Sequence, residues 1–206
     1  MGAKATISTL LVVLALGGTG AGRASAAEAP NFFTAADYPV SISGSSDEGE
    51  EWTLDGHPIA CDDASFTGAA DKDAITMRLT PAYGGCTAFG FPATVAMNGC
   101  DYLLELWPGS IHGGSVELSC PQGKEVTVET EFGLCSARIL PHQKEASFEA
   151  ADAHPRIGLN LSVSNITADL RDLGGFLCPL TGRKTVTDGF YIGSATLSGS
   201  SAIGVR

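Results

Sequence analysis

Residues 100–120 read CDYLLELWPGSIHGGSVELSC, two apolar-alternating runs either side of a Pro-Gly turn. Taking 100–107 and 114–120 as antiparallel partners, with 108–113 as the connection, sets Leu104 opposite Val116 and Tyr102 opposite Leu118. The same register brings Cys100 in front of Cys120. Side chains on a strand alternate faces, so a single pairing satisfies apolar burial and disulfide geometry together. The stretch predicts a hairpin locked across its open end, and with it a disulfide-bonded β-protein.

The rest of the chain extends this pattern. Tyr38, Val40 and Ile42 alternate with polar residues, as do Trp52 and Leu54, Ile75, Met77 and Leu79, Val126 and Val128, and Ile157, Leu159, Leu161 and Val163. Asp55-Gly56 and Asn98-Gly99 are hairpin turn signals, because a type I′ turn needs positive φ at both central positions. Further turns are expected at residues 121–124 and at Asp188-Gly189, a loop carrying Cys86 over 81–92, and a Gly-rich loop carrying Cys178 over 172–180. Residues 143–152 have the composition for two helical turns, closed by His154-Pro155. Tyr191 to Leu197 is expected to close the sheet. Some eleven or twelve short strands and no long helical period predict an all-β fold, an antiparallel β-sandwich or partly open barrel. One domain over 38–206 is expected, and any sub-lobe boundary falls near 141–155.

The first residues read as a targeting signal. Lys4 is the basic flank, Ile7 to Leu16 the apolar stretch and Ala24-Ser25-Ala26 the small-residue cleavage site, so 1–26 are expected to be removed and 27–37 to be loosely held. The apolar run has ten residues, and none later approaches the roughly 20 that a helix needs to span a bilayer. All six cysteines follow the cleavage site. No CxxC occurs and the closest two have thirteen residues between them, so three disulfides are expected rather than a metal site. The hairpin register favours Cys100–Cys120. Cys61–Cys86 bracket the preceding pair of strands, and Cys135–Cys178 follow by elimination. Without Lys4 and Arg23 the chain keeps 10 basic and 23 acidic residues, a net charge of −13. Such a field disfavours nucleic acid and anionic membranes as partners.

The segment GCTAFGFPATVAMNGC, residues 85–100, resembles a recurring stretch in uncharacterised secreted β-proteins of actinobacteria, and Cys120-Pro121-Gln122-Gly123 is similar to a later element of the same pattern. The resemblance implies an extracellular or cell-envelope location. It brings no functional residue.

Few residues point to chemistry. His57, His112, His142 and His154 each adjoin Pro or Gly, and neither GxSxG nor HExxH occurs, so no catalytic residue, cofactor or metal is expected. The acidic run Asp47, Glu48, Glu50 and Glu51 and the pairs Asp62-Asp63 and Asp71-x-Asp73 read as solvated charge. After Asp71 and Asp73 a calcium loop wants Asp or Asn and then Gly, where Ile75 and Thr76 stand. Asn160 and Asn165 match the glycosylation sequon. Tyr83, Phe89, Phe91 and Trp107 form the one aromatic cluster that suggests binding, as a stacking platform for an extracellular glycan or a patch for a protein. A non-catalytic extracellular binding module is therefore expected. A secreted hydrolase with a carboxylate pair assembled by the fold is the alternative.

Overall fold

The computed structural model describes residues 33–206 apart from 73, 111–112, 143–145, 154 and 175–176. The signal-peptide reading therefore lies outside the described residues. The strands are β1 (Phe33–Ala35), β2 (Val40–Ser46), β3 (Glu50–Leu54), β4 (His57–Ala70), β5 (Thr76–Ala88), β6 (Phe91–Ala96), β7 (Asp101–Leu106), β8 (Gly113–Ser119), β9 (Val126–Thr130), β10 (Cys135–Ile139), β11 (Ala146–Ala153), β12 (Arg156–Asp172), β13 (Arg183–Gly199) and β14 (Ile203–Val205). The founding hairpin is β7–β8, with Leu104 opposite Val116 and Tyr102 opposite Leu118.

Several of these strands are halves of longer ones. β2 and β3 both lie between β13 and β4. β6 and β7 both pair with β5, while β9 pairs with β6 and β8 with β7. β10 pairs with β9 and β12, and β11 with β8 and β12. The couples β2/β3, β6/β7, β8/β9 and β10/β11 are thus four wall strands, each broken in the middle. With β4, β5, β12 and β13 they make eight antiparallel strands, each beside its neighbour in sequence, and β13 returns to β2 and β3 to close the circuit. Closure leaves the wall without a free edge. Strands from both sides of residues 141–155 belong to this one circuit.

Alternation decides what the wall encloses. Leu54, Ile59, Leu104, Ile157 and Leu197 face inward and are fully buried. Ser41, Thr67, Arg78, Glu105 and Asn160 face outward and are exposed. Among the described strands, Phe190 and Ile192 on β13 are the large apolar side chains exposed on the outside. Eight strands give an interior just wide enough for side chains to fill or for one small ligand. β1 and β14 pair with each other at one end, where Phe33 N–H donates to Ala74 and Ile203 N–H to Pro155, and both side chains are buried. Buried Leu180 covers the other end, in the loop that Cys178 ties to Cys135.

The bridges are Cys61–Cys86, Cys100–Cys120 and Cys135–Cys178, as the sequence predicts. The last closes the longest loop, 43 residues, for which chain entropy gives about 4 kcal/mol. Serine at both positions should cost about that much, more than the loss at either of the other bridges, whose separations are 25 and 20 residues. Urea unfolding of the three double variants measures the order.

Other expectations are corrected. Residues 81–88, read as loop, continue β5, and the turn falls at Phe89-Gly90, both at positive φ. Gly84 stays in the strand, paired with Asp63, whose carboxyl occupies the place of its missing side chain. Asn98-Gly99 adopts the expected positive φ, 54° and 85°, but makes no hairpin. It steps the chain from β6 to β7, and Asn98 Nδ2 donates to Glu125 O and Thr127 Oγ1 across the break. Where two helical turns were expected, β11 runs through Ala146–Ala153, because pairing with β8 on one side and β12 on the other outweighs local propensity. Asp188-Gly189 lies inside β13, where Gly189 admits close contact with Ile166 and Leu54. Within the loosely held segment, Phe33–Ala35 is a strand. The strands are not uniformly short: β4 has 14 residues and β12 and β13 have 17 each.

Candidate functional site

The four broken wall strands interrupt their ladders near mid-height, at 47–49, 97–100, 120–125 and after Ile139. β12, which is not broken, shifts register between Val163 and Ala168 at the same level, with Asn165 at positive φ. The wall therefore splits into a β7–β8–β11 half and a β6–β9–β10 half, and a slot opens between them. Val116 and Leu118 supply one lip and Val126 and Ile139 the other, with Val163 and Ile166 at the β12 bulge. Trp52, Tyr102 and Tyr191 form the rear wall. The enclosed space is about 40 Å³, widening to about 440 Å³ when the open mouth is counted, and its lining is almost wholly apolar.

Behind that wall lies a polar cluster that follows from one strand irregularity. Ile192 pairs with Glu51 and Ala195 with Ser46, so four residues of the first wall strand stand against two of β13. The resulting bulge is held by Asp47 N–H donating to Ser194 O and by Thr196 Oγ1 donating to Asp47 Oδ1. Beyond it Glu50, Trp52 and Leu54 face inward in alternation. Glu50 lies across from Gly193, and its carboxyl occupies the volume a side chain at 193 would need.

Glu50 is 1 % exposed. The Tyr191 hydroxyl donates to its Oε2 at 2.5 Å, and Oε1 has no hydrogen-bond partner among the described residues. Burial raises its pKa from 4.5 to about 7; the Tyr191 hydrogen bond works against this and the charge of Asp47 adds to it. The Tyr83 and Tyr102 hydroxyls are 2.7 Å apart. Trp52 packs its ring 4.8 Å from Tyr83 and 4.9 Å from Tyr191. Burial, the largest cause, lifts all three tyrosines above the ordinary phenol range, so they stay protonated and Glu50 is the group of the cluster that ionises near neutral pH.

The sequence-predicted aromatics part company here. Tyr83 joins the cluster inside the barrel. Phe89 is 5 % exposed at the β5–β6 turn, its ring 5.8 Å from His57. Phe91 is half-buried at the start of β6, and Trp107, 47 % exposed, lies at the opposite end of the barrel. The four do not form one platform. Within the acidic run Glu50 is interior rather than solvated, which corrects the reading of that run. Trp52, Tyr102 and Tyr191 read in the sequence only as strand residues and Glu50 only as solvated charge, and Gly193 was not singled out. A signal existed, since Glu50 stands two residues before Trp52 and so shares its face. His142 Nδ1 lies 2.9 Å from Glu117 Oε1; His112 and His154 lie outside the described residues. No group of three or more His, Cys, Asp or Glu able to hold a metal occurs among the described residues, and no helix there is long and apolar enough to cross a membrane. Comparison with protein-family models, curated proteins and solved structures returns no match.

Proposed function

We propose that this is an exported, non-catalytic β-barrel that binds a small ligand by its apolar part in the mid-wall slot. The observation that carries the reading is the slot itself: an apolar cleft open to solvent, lined by aliphatic lips and three aromatic rings, where an intact ladder would have sealed the wall. Three disulfides and an acidic, polar outer surface fit an extracellular setting. The carboxylate-pair hydrolase has less support, because the carboxyl nearest neutrality is buried and bonded to a tyrosine rather than facing a second acid.

Trp52 and Trp107 are the only tryptophans, so Trp107→Phe leaves a reporter on the slot. Benzyl alcohol should change its emission saturably, and Val163→Phe, which fills the slot from the β12 bulge, should weaken binding at least tenfold. Absence of saturation up to about 10 mM, or binding unmoved by Val163→Phe, overturns the reading.

A further inference from the structure

Two features of the cluster are left over once the slot is read as an apolar binding site: a buried carboxyl with one oxygen unpartnered, and the choice of tyrosine and tryptophan for the rear wall. A buried acceptor without a partner is costly and calls for one. The groups around it fix what that partner can be. Tyr191 on β13, Tyr83 on β5, Tyr102 on β7 and Asp47 in the bulge are the titratable groups that act on Glu50 or are acted on by it. None is a cation. No Lys, Arg or His lines the slot either. Each ring presents a negative π-face or a hydroxyl, and Tyr191 belongs to both places: its ring lines the slot and its hydroxyl holds the Glu50 carboxyl. The interior is thus an aromatic wall backed by one uncompensated acid, in a barrel with a net negative chain. A neutral apolar ligand would use the lips but leave this acid unanswered. A small ammonium with an apolar body answers it, through attraction to the rings and through the field of the carboxylate behind Tyr191 in a low-dielectric interior.

We infer that the ligand is a small organic cation, an alkyl- or arylalkylammonium, whose apolar part enters the slot while its ammonium faces the Trp52–Tyr191 wall and is neutralised by Glu50. The inference rests on the slot reading above and names the ligand class for it. Binding is proton-linked, because the ammonium requires the carboxylate and not the acid. With the carboxyl titrating near 7, its ionised fraction falls about thirtyfold from pH 8 to pH 5.5, and affinity for the cation should fall with it.

Benzylamine and benzyl alcohol are matched in size and shape and differ in charge. Each is titrated calorimetrically into the disulfide-intact protein at both pH values. At pH 8 benzylamine should bind at least tenfold more tightly than benzyl alcohol and lose most of that preference at pH 5.5, a fall of at most about thirtyfold, while benzyl alcohol changes less than threefold. Glu50→Gln should bring the amine to the affinity of the alcohol at both pH values. Equal affinities at pH 8, or an amine preference that survives pH 5.5 or Glu50→Gln, overturn the cation assignment and leave the slot standing. Binding of neither compound overturns the slot reading itself. Should Glu50→Gln fail to fold, the two pH arms on the unaltered protein decide alone.

Discussion

Glu50→Gln should make the protein more stable than the parent at pH 8 and remove most of the change in its stability between pH 4.5 and 7. In the folded protein this carboxyl titrates near 7, against 4.5 for an ordinary glutamate, with burial as the main cause. The folded state therefore holds the proton more tightly than the unfolded chain does. The contribution is complete below pH 4.5, is lost as pH rises towards 7, and stays lost above that. The ceiling is about 3 kcal/mol, the equivalent of the full shift, before relaxation or a bridging water reduces it. Glutamine imitates the protonated acid: its carbonyl accepts the Tyr191 hydroxyl, and no buried charge forms on going to pH 8. Urea unfolding of both proteins at pH 5, 6, 7 and 8, with disulfides intact, measures the effect. Curves that stay parallel would assign the titration to another group. Asp169 is not that group. Hydrogen bonds from Thr185 and Arg183 hold its carboxyl below the ordinary range, so its contribution is lost only as pH falls further.

The legibility of this molecule divides along the same physical line. Period-two alternation and cysteine register are local, and they reveal the β7–β8 hairpin, its residue partners and the Cys100–Cys120 bridge, while the other two bridges follow from bracketing strands and elimination. The breaks were not local. Nothing in Asn98-Gly99 says whether the chain turns back on itself or steps sideways, since positive φ at both positions serves either course. The outcome depends on β5 and β9, which bind the strands on either side of the step. Residues 146–153 fail in the same way, because their helical composition is overridden by two neighbouring strands distant in sequence. The slot exists only where several such breaks coincide in height, so no single stretch announces it. Glu50 was hidden for a different reason. It sits in a run of four acids, and a charge run reads as solvent-facing until one member is placed in register with Trp52 and Leu54.

Gly193→Ala should destabilise the protein by about 3 kcal/mol or more, and Glu50→Ala should largely reverse that loss when the two are combined. The backbone at 193 is not among the positive-φ positions, so alanine suits its conformation, and by strand propensity alone the change would help by about 0.5–1 kcal/mol. The cost is steric. A Cβ at this position overlaps the Glu50 carboxylate and meets the Tyr191 hydroxyl, which are held there by their mutual hydrogen bond. Neither can swing aside freely, because Trp52 and the bulge at 47–49 confine them, and expelling the carboxyl breaks its hydrogen bond inside a packed wall. Overpacking against a flexible surface side chain would cost much less. Removing the carboxyl returns the volume, so the double variant should regain at least 2 kcal/mol over Gly193→Ala, a coupling far above the roughly 0.3–0.5 kcal/mol seen for independent sites. Chemical unfolding of the two single variants and the pair completes the cycle. Additive losses would mean that Glu50 does not occupy the space above Gly193, and the account of how the bulge turns an acid into the barrel would fall with it.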